Sequence, residues 1–131
     1  MASLDDIQSA FDVLESWEDK YQYLIELGDN LPSFPDAEKK DENKVDGCMS
    51  QVWLLAQQKE NGAYHLLADS DALIVRGLIA IVLAVFNDKT PEEIKKVPID
   101  EIFTSLGLEN NLSPTRRNGF FSLVDKIRQL P

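Results

Sequence analysis

The chain has 131 residues, 44% of them hydrophobic, and carries 23 acidic against 13 basic side chains for a formal net charge of −10. This length and apolar content predict one globular domain over residues 1–131. Residues 1–46 alone hold 13 acidic and 4 basic side chains, and such an acidic surface repels nucleic acid and anionic membranes. It either keeps the protein in solution or steers a basic protein partner.

Cys48 is the only cysteine in the sequence. One sulfur excludes an internal disulfide, a four-thiolate zinc site and an ordinary iron–sulfur cluster. The lack of cysteine pairs favours a reducing compartment, and we expect the cytoplasm. The first residues have no basic region and no apolar run, so no signal peptide is predicted. The longest apolar stretch, 72–86, is shorter than a bilayer requires and predicts a buried helix.

Two helices are predicted in the N-terminal third. Ser3 and Ser16 each stand three residues before an aspartate, which is a helix-capping pattern, and apolar residues follow both at helical spacing. Gly28 predicts the end of the second helix. Residues 29–46, with two prolines and a charged run, predict a long loop that leads to Cys48, and loops of this length are often functional.

A β-hairpin is predicted next. Residues 51–58 alternate as a strand, the pair Asn61-Gly62 predicts a tight turn, and 64–68 alternate as the returning strand. A weaker third strand is expected at 43–45.

The remaining sequence predicts helices. One spans 71–86 and is capped by Asp69 or Ser70, one begins at Thr90-Pro91, one spans 99–106, and the last opens at Ser113-Pro114. The predicted fold class is α+β, with helices packed on a small three-stranded antiparallel sheet.

Cys48 is the leading candidate for chemistry. It follows Gly47 at the junction between a polar loop and an apolar strand, where a cysteine can move between sheltered and exposed positions. The alternative is a buried cysteine without a role.

Arg116 is the second candidate. Ser113 as the cap and Pro114 as the first helical residue place Arg116 and Arg117 in the first turn, where positive charge opposes the helix dipole. A broken local rule indicates a functional site, and an arginine near Cys48 would favour its thiolate or bind a carboxylate. Alternatively, both arginines pair with the acidic N-terminal segment.

Two other polar residues have simpler interpretations. His65, the only histidine, is expected to point to solvent, although a cysteine–histidine nucleophile pair is conceivable. Asp71 suits a helix N-terminus, and that role alone would explain it. No phosphate-binding loop, serine nucleophile elbow or zinc-ligand spacing occurs.

Four blocks of sequence together resemble the SufE-type sulfur-acceptor family, which includes the CsdE proteins. The most specific is Gly-Cys-Met-Ser-Gln-Val-Trp at residues 47–53. The other blocks, in family order along nearly the whole chain, are residues 17–28, 69–80 and 112–116.

The resemblance implies a fold like that of IscU-type scaffolds and a role in iron–sulfur cluster assembly. Such proteins accept sulfane sulfur from a pyridoxal-phosphate-dependent cysteine desulfurase of the SufS or CsdA type, and they stimulate it. They hold the sulfur as a persulfide and pass it to a SufB-type scaffold. The persulfide cysteine corresponds to Cys48, and supporting residues correspond to Arg116 and Asp71. The resemblance implies no desulfurase activity, cofactor or metal in this chain.

Two other functions stay open at this point. The chain could be a non-catalytic interaction module in which acidic helices dock a basic partner and Cys48 is incidental. It could also be a stand-alone thiol enzyme, such as a one-cysteine peroxidase.

Overall fold

The computed structural model describes residues 2–47 and 49–131. Within them, six α-helices and one two-stranded antiparallel sheet confirm the predicted α+β class. The helices are α1 (Leu4–Val13), α2 (Trp17–Asp29), α3 (Leu73–Phe86), α4 (Pro91–Lys96), α5 (Ile99–Ser105) and α6 (Pro114–Arg128). The strands are β1 (Val52–Gln58) and β2 (Tyr64–Ser70), and two single 3₁₀ turns, Asp36–Glu38 and Asp41–Asn43, lie in the loop before β1.

Helix α3 forms the centre of the core. Ten of its 14 residues are buried, and they lie on every side of the helix. A helix that is apolar all round must be covered all round, and α1, α2, α6 and the sheet supply that cover. No helix in residues 2–47 and 49–131 is long and apolar enough to cross a membrane.

Local sequence signals explain most helix starts. The Ser3 and Thr90 side chains each accept a hydrogen bond from the backbone N–H three residues on. The Asp6 and Glu93 carboxylates in turn accept from the Ser3 and Thr90 backbone N–H groups, which completes two capping boxes. The Ser16 and Ser113 hydroxyls cap α2 and α6 in the same way, without the return bond. The predicted starts of these four helices are therefore confirmed.

The predicted third strand is wrong in extent. Lys44 makes one isolated antiparallel bridge with Trp53, and the Val45 N–H donates to the Val52 carbonyl at 2.9 Å. A 3₁₀ turn ends at Asn43, and Gly47 has a φ of +88°. Only two extended residues lie between these turns, which is too few for a ladder, so the described sheet has two strands.

The far edge of the sheet is closed by the end of α3. The Leu66 N–H donates to the Asn87 side-chain oxygen at 2.8 Å, and the Asn87 amide donates back to the Leu66 carbonyl at 3.4 Å. The Tyr64 N–H likewise donates to the Lys89 carbonyl. These contacts occupy backbone groups that would otherwise template unwanted pairing.

Gly28 does not end α2 as predicted. The helix continues to Asp29, and the small size of Gly28 serves a close crossing with α3 instead. A Cβ placed on Gly28 would lie 2.8 Å from the Gly77 nitrogen, and one placed on Gly77 would lie 2.2 Å from the Leu24 carbonyl oxygen. The two backbones therefore meet where neither helix tolerates a side chain.

The charged loop is pinned to the sheet through Lys39. Its ammonium lies 3.2 Å from Asp69 Oδ2 and 5.5 Å from the centre of the Trp53 ring, and Asp69 Oδ1 accepts from Arg76 Nε at 3.0 Å. The Trp53 indole N–H is buried without a hydrogen-bond partner among the described residues. Such burial costs about 1–3 kcal/mol, so the ion pair and the cation–π contact must hold the loop over the ring.

The substitution Gly77→Ala tests the helix crossing. In an exposed helix it would be stabilising by up to about 1 kcal/mol. Here the added methyl meets backbone rather than a movable side chain, so we expect a loss of about 2 kcal/mol or more and a drop in Tm of about 5–10 °C. Thermal unfolding followed by circular dichroism measures this. An unchanged or raised Tm would contradict the close approach.

The Lys39 anchor predicts a pH dependence of stability. The hydrogen bond to Asp69 raises the pKa of Lys39 above its ordinary value of 10.5. Its stabilisation is therefore complete below pH 10.5 and is lost as the pH rises through the folded-state pKa. We expect the stability difference between wild type and Lys39→Met, measured by urea unfolding, to shrink above that pH. A difference that stays constant or grows would show that the ion pair does not contribute.

Candidate functional site

Cys48, the predicted reactive residue, lies outside the described residues, but both of its chain neighbours are described. Gly47 has a φ of +88°, a conformation that favours glycine, and a Cβ there would lie 2.7 Å from the Ser122 hydroxyl oxygen. Met49 is 85% exposed. We use the name cysteine segment for residues 44–51, which connect the charged loop to β1.

The upstream half of the cysteine segment lies between β1 and α6. Beside the Val45 bond to Val52, the Lys126 ammonium donates to the Lys44 carbonyl at 2.7 Å across 82 residues of sequence. Lys44, Val45 and Asp46 face Ser122 and Lys126 across an open polar cleft of about 370 Å³. The residues leading to Cys48 are therefore held by groups from two different elements.

The downstream half is held by Asp71. Its Oδ1 accepts from the Gln51 N–H at 3.0 Å, and its own N–H donates to the Gln51 carbonyl at 3.3 Å. Asp71 thus contacts Gln51 just beyond the last β1–β2 pair, Val52 with Ser70, accepting through its side chain and donating through its backbone, and it does not start a helix. This corrects the predicted start of α3, which begins at Leu73 after Ala72, while the Ser70 hydroxyl accepts from the Ala72 N–H. The Asp71 carboxylate therefore binds the backbone of Gln51, which follows Cys48 by three residues in the sequence.

An apolar pocket opens beside the cysteine segment. Its cavity volume is about 40 Å³, which exceeds the space of one water molecule. Met49 and Ser50 line one side, and α3 and α6 supply the walls, among them Val75, Ile79 and Phe120.

Arg116 lies at the rim of this pocket. Its N–H donates to the Ser113 cap, and its exposed guanidinium lies 6.0 Å from the centre of the Tyr21 ring. No carboxylate among the described residues lies within salt-bridge distance of Arg116. The structure therefore places Arg116 on the same pocket as Met49, with a guanidinium that no carboxylate of the described residues neutralises.

Arg117 has a different environment. It lies 3.1 Å from Glu109 in an ion pair, and its guanidinium lies 5.4 Å from the Phe121 ring centre. The suggestion that both arginines pair with the acidic N-terminal segment is therefore wrong for Arg117. Arg116 does reach that segment, but through the aromatic face of Tyr21 rather than through a carboxylate.

His65 lies far from the cysteine segment. It pairs with Gln57 near the hairpin turn, whereas Gln51 and Asp71 meet at the opposite end of the ladder. Six residues of strand span about 20 Å. This distance does not favour the cysteine–histidine pair. Within residues 2–47 and 49–131, no group of three or more His, Cys, Asp or Glu residues is arranged to hold a metal ion.

The sequence did not indicate the roles of Ser122 and Lys126. They are spaced i, i+4 on α6 and so lie on one helix face, but a serine and a lysine on a helix ordinarily face solvent. Only their contacts with Gly47 and Lys44 reveal that this face receives the cysteine segment.

Comparisons with known proteins identify the family and the fold. A sequence model of the SufE family, described as an Fe–S metabolism associated domain, matches residues 5–130. A SufE-like protein of Rhizobium meliloti (strain 1021) is 47% identical over 131 residues, covering 98% of this chain and 94% of that protein. A SufE-like protein of Rhizobium etli is 48% identical over 132 residues, covering 98% and 89%.

One solved structure shares the fold. The solution structure of a hypothetical protein from Thermus thermophilus superposes with a TM-score of 0.73 at 21% identity, covering 95% of this chain and 90% of that one. The likeness at this identity concerns the fold. The family match over residues 5–130 and the two relatives at almost half identity establish more: this chain is a member of the SufE family, whose domain belongs to Fe–S metabolism.

Proposed function

We propose that the protein is a sulfur acceptor and carrier for iron–sulfur cluster assembly. Cys48 receives sulfane sulfur from a cysteine desulfurase, holds it as a persulfide and passes it to a scaffold. The observation that carries the proposal is the position of the only cysteine. The described residues before and after it in the sequence are tied down, Lys44 by Lys126 and Gln51 by Asp71, and Met49 and Ser50 line an apolar pocket, in a chain of the SufE family.

The chemistry is a thiol exchange. The Cys48 thiolate attacks the terminal sulfur of a persulfide on the desulfurase, a new S–S bond forms, and the desulfurase cysteine leaves as a thiolate. The scaffold thiolate then repeats this attack on the Cys48 persulfide. Each step moves one sulfur atom without any net oxidant. The carrier needs no cofactor for this exchange, and pyridoxal phosphate belongs to the partner that releases sulfur from cysteine.

Exposed apolar side chains near the cysteine segment support docking of a partner at this face. Met49 is 85% exposed, and Leu73, which follows Asp71 by two residues, is 59% exposed. With the rim charge of Arg116, they form the pattern of an apolar centre and a polar edge that protein interfaces show. We propose that a SufS- or CsdA-type desulfurase docks here and that docking stimulates its activity. A SufB-type scaffold is the next acceptor.

The neighbouring pocket gives the carrier a means of protecting its cargo. Persulfide sulfur is lost when a small thiol attacks it, and an apolar recess restricts such attack. A reducing cytoplasm, which we propose as the working compartment, contains small thiols in abundance. Protection therefore requires the segment to be sheltered in the free protein, and transfer requires the same segment to be accessible in the docked complex.

Replacement of the cysteine tests the proposal directly. When the protein is incubated with desulfurase and free cysteine, intact-mass spectrometry should show wild type gaining one sulfur atom and Cys48→Ser gaining none. Binding of Cys48→Ser to the desulfurase should persist, since the docking face is unchanged. Wild type that gains no sulfur would reject the carrier, and an interaction module would then explain binding alone. Rapid oxidation by peroxide without a partner would instead favour a thiol peroxidase.

Arg116 and Arg117 form a matched pair for a second test. Arg116→Ala should slow sulfur loading by about two- to fivefold, the effect of one exposed charge at an interface. Arg117→Ala should load as wild type does, because that charge is already engaged with Glu109. Initial rates of mass gain at several carrier concentrations provide the measurement. Equal effects of the two substitutions would show that Arg116 has no special role in loading.

A further inference from the structure

We infer that Lys126 is a positioning residue for sulfur retention, holding the upstream half of the cysteine segment against α6. This inference rests on the proposed carrier function. Lys126 lies two turns of helix beyond Gly119, on the part of α6 that continues from the apolar pocket to the polar cleft. The cysteine segment follows the same path on the other side.

The Lys126 contact joins two distant parts of the chain. Its half-buried ammonium donates to the Lys44 carbonyl at 2.7 Å, four residues before Cys48. A charged donor makes a stronger hydrogen bond than a neutral one. The ammonium also lies in a cleft with two carboxylates, Asp46 and Asp125.

The adjacent turn of α6 adds a steric part to this attachment. Gly47 lies so close to Ser122 that a Cβ on it would be 2.7 Å from the serine oxygen. Lys126 and Ser122 therefore contact the cysteine segment from one helix face, the first by a hydrogen bond and the second by close approach. Two backbone bonds also hold this half, one from the Val45 N–H to the Val52 carbonyl and one from the Lys44 N–H to the Asp41 carbonyl.

The consequence concerns how long sulfur stays on Cys48. A small thiol that attacks the persulfide forms a new S–S bond with its terminal sulfur and releases the Cys48 thiolate, which takes up a proton. Loosening the upstream half from α6 lets the residues that lead to Cys48 move more freely, which opens a path for this attack. Loading by the docked desulfurase does not depend on the attachment, because loading requires the segment to be accessible.

The test uses Lys126→Met, which keeps most of the aliphatic stem and removes the donor. After loading by the desulfurase and its removal, we expect sulfur to be lost to added glutathione about three- to tenfold faster than from wild type. The initial loading rate should be unchanged. Lys126→Arg, which keeps a charged donor, should restore most of the retention. Lys95→Met, the same change at an exposed lysine of α4, is the control and should behave as wild type.

Amide hydrogen exchange gives an independent readout of the attachment. In Lys126→Met, the Val45 amide should exchange about three- to tenfold faster, while the Leu66 amide, bonded to Asn87, should not change. Wild-type loading together with equal retention in Lys126→Met and wild type would overturn the inference and leave the carrier function standing. Failure of wild type to load would reject the carrier function, and unchanged Val45 exchange would then also reject the attachment.

Discussion

The burial of α3 on all sides is the constraint on which the rest of the structure depends. All but one of the side chains of α3 are apolar, the exception being Arg76, so neighbouring elements must pack matching apolar surfaces against the helix. On one side the packing is closest, because α2 approaches until the Leu24 carbonyl contacts Gly77. On the other side the cover by α6 is incomplete near its N-terminal end. The apolar pocket is the space left there.

This incomplete cover places the pocket beside Met49 and Ser50, the residues that follow the cysteine in the sequence. The same residues of α3 that complete the core, among them Val75 and Ile79, also form the wall beside Met49. The pocket is consequently lined mainly by apolar side chains that belong to the core, and its charged lining residue, Arg116, lies at the rim. The apolar character of the pocket is thus a consequence of how the core closes, whereas the charge of Arg116 lies at the exposed edge.

The cysteine segment is attached mostly through its backbone and through side chains remote in sequence. Lys126 of α6, Val52 of β1 and Asp71, which lies between β2 and α3, each bond to a different point of it. Such attachment is strong only while all the elements are in place, yet each bond is individually modest. A partner that competes for one or two of them could free the segment without disturbing the core, which is the property a carrier needs.

The sequence by itself determined the starts of α1, α2, α4 and α6, the hairpin and the presence of the cysteine motif. Each depends on neighbours in the chain: a cap three residues from its target, two turn residues in succession, or a glycine beside a cysteine. It misjudged Gly28, Asp71 and the third strand, because their roles depend on Gly77, Gln51 and Trp53, which are distant in sequence. Only the tertiary structure decided which residues Arg116 and Lys126 lie against. Helix periodicity shows which side chains share a face, but what that face meets is fixed by packing around α3.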